Sequence, residues 1–125
     1  MIPKTILSLV LILIILNPVL LRGESKQIEN DVILSLLTNK IIAKLSEEFN
    51  QDTQFDCASV TKLEKTGENN NLYRVSLTLY TFEGPHNPPF YKVKMAFTND
   101  TDNWRWEGYI VEKAPLEPNE KISCN

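Results

Sequence analysis

LYRVSLTLYTFEGPHNPPFYKVKMAF, residues 72–97, carries two alternating runs joined by a short connection. From Leu72 to Glu83, Tyr73, Val75, Leu77 and Leu79 fall on one face, and Arg74, Ser76, Thr78 and Tyr80 on the other. A period of two is the mark of a strand with one buried face. Phe90 to Thr98 repeats the pattern, with Tyr91, Val93, Met95 and Phe97 inward and Lys92 and Lys94 outward. Between them lies only Gly84-Pro85-His86-Asn87-Pro88-Pro89. A connection this short cannot carry a parallel crossover, so the two strands are antiparallel neighbours.

Working outward, Ile28 to Phe49 reads as a helix, because Ile33, Leu37, Ile41, Leu45 and Phe49 recur every four residues. Leu34, Leu36 and Ile42 widen the stripe, Asn30 or Asp31 caps its start, and Asn50-Gln51-Asp52 stops it. Phe55 to Lys65 is a first strand whose irregular alternation (Cys57, Val60, Leu63) predicts a bulge. Trp104 to Lys113 is a last strand, with Trp104, Trp106 and Ile110 on one face. Gly67–Asn71 and Asn99–Asn103 are turn clusters, and Pro115 and Pro118 end regular structure. The expected fold is α+β: one N-terminal helix packed on a curved, four-stranded antiparallel sheet. The element order is that of cystatin-like or nuclear-transport-factor-like domains, an analogy that carries no function.

The first ~25 of the 125 residues have the order of an export signal: Lys4, an apolar run from Ile6 to Leu16, a break at Asn17-Pro18, and a polar exit. Cleavage is expected after Ser25 or, second, after Gly23; an uncleaved anchor is the alternative, since neither site has the A-x-A pattern. Residues 26–125 then form one domain. Thirteen Lys and Arg against sixteen Asp and Glu give a net charge of −3, and losing Lys4, Arg22 and Glu24 with the leader makes the domain more acidic. Such a domain has no electrostatic footprint for nucleic acid. Membrane contact is expected only through an uncleaved leader, because the polar face of the helix is mixed in charge. In an exported domain Cys57 and Cys124 fit one disulfide, worth about 4 kcal/mol by loop closure; two free thiols are the other reading. No CxxC or Cys/His cluster indicates redox or zinc chemistry, and no cofactor or metal motif is present.

The connection between the two central strands is the unusual feature. Thr81 to Tyr91 holds three prolines and the single histidine, and the prolines stiffen His86 and Asn87. A stiff aromatic loop loses little entropy on binding. Glu83, His86, Asn87, Phe90 and Tyr91 are therefore candidate binding residues. The bland reading is a hairpin connection in which Phe82 and Phe90 close the core. A base with no nucleophile motif nearby makes catalysis by His86 with Glu83 the lesser reading. Trp104 and Trp106 are either a core pair or an exposed platform for a sugar or peptide. Asp100 and Asp102 lack the rest of a calcium loop, and Asn99-Asp100-Thr101 is formally a glycosylation sequon.

Thr81-Phe82-Glu83-Gly84-Pro85-His86-Asn87-Pro88-Pro89 resembles the T-F-E-G-x-H-N-P-P signature of an uncharacterised family of small exported proteins in bacilli. The likeness runs from about Asp31 to Lys113, including Val32-Ile33-Leu34-Ser35-Leu36-Leu37; Phe90 and the Cys-containing tail depart from it. The resemblance implies export and a Gram-positive source, and marks Glu83, His86 and Asn87 without giving them an activity. The expected function is binding of a peptide, protein or cell-envelope component through residues 83–91, by a protein secreted or held on the outer face of the cytoplasmic membrane. The alternative is a small hydrolase-like enzyme with His86 and Glu83 in a cone-shaped pocket. Cystatin-like protease inhibition ranks last, because no Gln-x-Val-x-Gly run occurs.

Overall fold

The computed structural model describes residues 3, 18–68, 71–99, 105–122 and 124. The expected apolar run of the leader, the 100–103 turn and Trp104 lie outside them. One helix, α1 (Pro18–Glu48), is followed by β1 (Thr53–Lys65), β2 (Tyr73–Glu83), β3 (Asn87–Asn99) and β4 (Trp106–Pro115). The strands form one antiparallel sheet in the order β1-β2-β3-β4, open at both edges. The α+β expectation holds.

Helix α1 begins ten residues before the expected Ile28. Pro18, expected as a helix breaker, is its first residue, where the missing N–H costs nothing and the fixed φ suits the turn. Asn30 and Asp31, expected as caps, are inside the helix, and Asp31 accepts a side-chain hydrogen bond from Gln27 at 3.0 Å. The chain divides into two compact units, Met1–Val32 and Ile33–Asn125.

Within the second unit, Leu37, Ile41 and Leu45 are one helical turn apart and form the helix side of the core. They pack with Val75, Leu77 and Leu79 of β2 and Val93, Met95 and Phe97 of β3, all buried. The buried stripe is narrower than expected, since Leu36 and Ile42 face solvent. Ile33, Leu34 and Phe49 flank it. After α1, Asn50 makes an Asx turn: its Oδ1 accepts from Asp52 N–H at 2.9 Å and from the Thr53 hydroxyl at 3.2 Å. This tight reversal starts β1 at Thr53, two residues earlier than the spacing predicts.

The expected bulge in β1 is present, with register shifts between Asp56 and Ser59 and between Val60 and Lys62. Cys57, at the first of them, has a φ of 53°. The connection between β2 and β3 is shorter than expected. Only Gly84–His86 lie outside the strands, and Asn87, Pro88 and Pro89 open β3. Proline is accepted there because the start of β3 runs beyond β4, whose last paired residue, Pro115, meets Tyr91. Strand β4 runs Trp106–Pro115 rather than 104–113, with a register shift at Lys94/Met95. Across that ladder Lys94 bonds Glu112 at 2.6 Å and holds its carboxyl below the usual carboxylate range.

Candidate functional site

The β2–β3 hairpin tip is set by two left-handed residues, Gly84 at φ 50° and His86 at φ 60°. His86 N–H donates to Gly84 O at 3.0 Å, closing the turn. The imidazole then folds back over the ring of Phe82, with centroids 3.9 Å apart and planes 11° from parallel. Phe82 is buried by this arrangement but is not a member of the main core cluster. His86 Nε2 is also 3.9 Å from Asp56 Oδ2 on the neighbouring strand β1. The sequence reading did not single out Asp56; the β1–β2 register that sets it opposite Tyr80 brings it to the hairpin.

Past β4 the tail turns back beside the hairpin and is fastened at two points. Leu116 N–H donates to Phe90 O at 3.0 Å. Cys124 is joined by a disulfide to Cys57 of β1, as the first reading of the cysteines expects. Between these points a turn is closed by Glu120 N–H on Glu117 O at 2.9 Å. The hairpin and the fastened tail enclose an open cleft of about 720 Å³. One wall is His86, Pro88, Pro89 and Phe90; the other is Pro115, Leu116, Pro118 and Ile122. Glu117, Glu120 and Lys121 supply charge at its margin. An apolar lining with a few polar groups is the usual make-up of a ligand site.

The candidate residues divide between different surroundings. His86 and Phe90 line the cleft. Glu83 and Asn87 line a second, polar hollow of about 560 Å³ with Gln51, Asp52 and Gln54. There the Glu83 carboxylate accepts from Asn50 Nδ2 at 2.7 Å. Glu83 and His86 thus line separate hollows, and among the described residues the hydrogen bond of the Glu83 side chain is with Asn50 and not with His86. Tyr91 belongs to the end of the core, with its ring 5.3 Å from that of Phe49. Trp106 is half-buried and packs against the core, while Trp104, its partner in either reading of the pair, lies outside the described residues. Leu116 and Ile122 were missed by sequence reasoning. The Cys57–Cys124 pairing is the signal that carries them to the hairpin, because it draws the tail across to β1.

No curated protein and no solved structure matches the chain. A family model does match, over residues 29–109, which span the helix from Glu29 onward, the first three strands, the hairpin and the start of β4. The cleft is thus built half inside the matched region and half, along the tail, outside it. The chain belongs to the DUF3888 family, a family of proteins of unknown function.

Proposed function

We propose that this protein is an exported binding domain that takes an apolar, extended peptide segment of a protein or cell-envelope component in the cleft between the β2–β3 hairpin and the tail. The observation that carries the reading is the construction of the cleft itself. A stiff proline-containing wall, Pro88-Pro89-Phe90, faces a second wall held by a backbone hydrogen bond and a disulfide. Walls braced in this way have little freedom to lose, which lowers the entropic cost of binding. Export is supported by the basic start and apolar run of residues 4–16 and by the disulfide, which persists in oxidising compartments. Binding is favoured over hydrolysis because Glu83 is engaged by Asn50, away from His86.

Selection of a random peptide library on the immobilised, oxidised protein tests the reading. The expected result is an enriched apolar consensus whose peptides bind the Phe90→Ala and His86→Ala proteins at least about tenfold more weakly, a loss of about 1.4 kcal/mol. Both variants must keep a cooperative thermal transition. Failure to enrich a consensus, or equal binding by the variants, overturns it.

A further inference from the structure

Asp56-Cys57, His86 and Cys124 lie far apart in the sequence, in a spacing that matches no metal motif; the fold brings Cys124 to Asp56-Cys57 at one corner and sets His86 beside Asp56, outside that group of three. One ligand atom from each of Asp56, Cys57 and Cys124 lies within 4.8 Å of the others, the only such group of three among the described residues. At the β1 bulge the Asp56 carboxylate lies against the next residue, with Oδ1 accepting Cys57 N–H at 2.8 Å. Its other oxygen, Oδ2, stands 3.9 Å from His86 Nε2. Cys57 is half-buried and the other three are exposed, so the corner is open to solutes. In the oxidised protein the two sulfurs are bonded to each other and have no charge to offer a metal. Freed as thiolates, they complete a set of two sulfurs, one carboxylate oxygen and one imidazole nitrogen. That is a donor set suited to four-coordinate zinc.

We propose that reduction of the Cys57–Cys124 disulfide converts this corner into a zinc-class metal site. Cys57, Cys124 and Asp56 are its ligands, and His86 is the fourth donor. A dithiol reductant breaks the S–S bond, giving two electrons and two protons to the protein sulfurs and leaving as its own cyclic disulfide. Both protein thiols then lose their protons to solvent as the divalent cation binds. At Zn–S distances of about 2.3 Å and a tetrahedral angle the sulfurs stand roughly 3.7 Å apart, so they must separate from bonding distance. That movement falls on Cys124, which lies beyond the tail's Glu117–Glu120 turn. The Cα atoms, 4.8 Å apart in the disulfide, need only open modestly. The tail stays tied to β1 in both states, by a covalent bond in one and through the metal in the other.

Titration of the full chain with Co²⁺, after reduction by a phosphine under argon, tests this. Expected is a single saturating ion per chain, a thiolate-to-cobalt charge-transfer band in the reduced protein, and none in the oxidised one. Zn²⁺ should bleach the band. Asp56→Asn and His86→Gln, made and checked for folding in the oxidised form before reduction, should each weaken Co²⁺ binding by about tenfold or more, at least the loss typical of a supporting partner. Absence of the band in reduced protein overturns the proposal, as does a reduced chain that is unfolded by circular dichroism and stays so with Zn²⁺. Unchanged affinity in both variants also overturns it, for it would mean that the bare dithiol binds alone.

Discussion

Asn99 ends β3 with only 5% of its surface exposed, and both ends of its amide are used. Its Oδ1 accepts the Tyr73 backbone N–H at 2.5 Å, and its Nδ2 donates to Asn71 O at 2.6 Å. One side chain therefore closes the start of β2 onto the end of β3. The same bonds bear on the formal sequon at this position, since the nitrogen a glycan would need is buried and already donating. Asn99→Ala leaves a partly buried donor and acceptor without partners, and an unmet group of this kind costs more than a made bond gains. A loss of about 2–3 kcal/mol in chemical denaturation is expected. Asn99→Asp keeps the acceptor for Tyr73 and should fall between the two. An Asn99→Ala protein as stable as the parent would show that solvent replaces both bonds.

At the scale of elements, β4 is an edge strand whose fit to β3 depends on a glycine. Gly108 pairs with Phe97, and the fully buried Phe97 ring lies across the space that a side chain would occupy. A Cβ built on Gly108 would stand 2.8 Å from both Cδ1 and Cζ of that ring. Gly108→Ala must push the ring off its rotamer or shift β4, and overpacking of this kind typically costs about 1–3 kcal/mol. Thermal denaturation with near-ultraviolet circular dichroism measures both the loss and the ring's displacement; an unshifted midpoint would mean that β4 moves freely. The alternation of Val75, Leu77 and Leu79 with Arg74, Ser76 and Thr78 made β2 legible in the sequence, as the fourfold spacing of Leu37, Ile41 and Leu45 did for the helix. Those signals are local and period-bound. The cleft was half legible: proline and histidine marked the hairpin, but its second wall comes from the tail, a long-range contact without periodicity. The separation of Glu83 from His86 was not legible either, because it turns on the left-handed φ of His86 and on Asn50 reaching across from the end of α1.

For the second unit as a whole, the single long covalent cross-link matters more than its position suggests. Cys57 and Cys124 are 67 residues apart, and closing so long a loop in the unfolded chain is worth about 4 kcal/mol by the entropic estimate. The described core rests on nine buried residues of α1, β2 and β3, and none of them comes from the tail. Removing the disulfide should therefore leave the core packing intact while lowering global stability and loosening the tail. In a Cys57→Ser/Cys124→Ser protein, the denaturation midpoint should fall by the equivalent of about 4 kcal/mol. Amide exchange should rise at Lys121 and Ile122 by local opening of the tail, and at Leu77 and Met95 only by the factor that the fall in global stability sets, since buried core amides exchange through global unfolding. Leu116, still bonded to Phe90 O, should mark where the loosening stops. If the tail amides exchange no faster, the contacts with the hairpin hold that wall by themselves, and the disulfide acts only on the unfolded chain. Faster exchange at Lys121 and Ile122 would tie the shape of the cleft to the oxidation state of one cysteine pair.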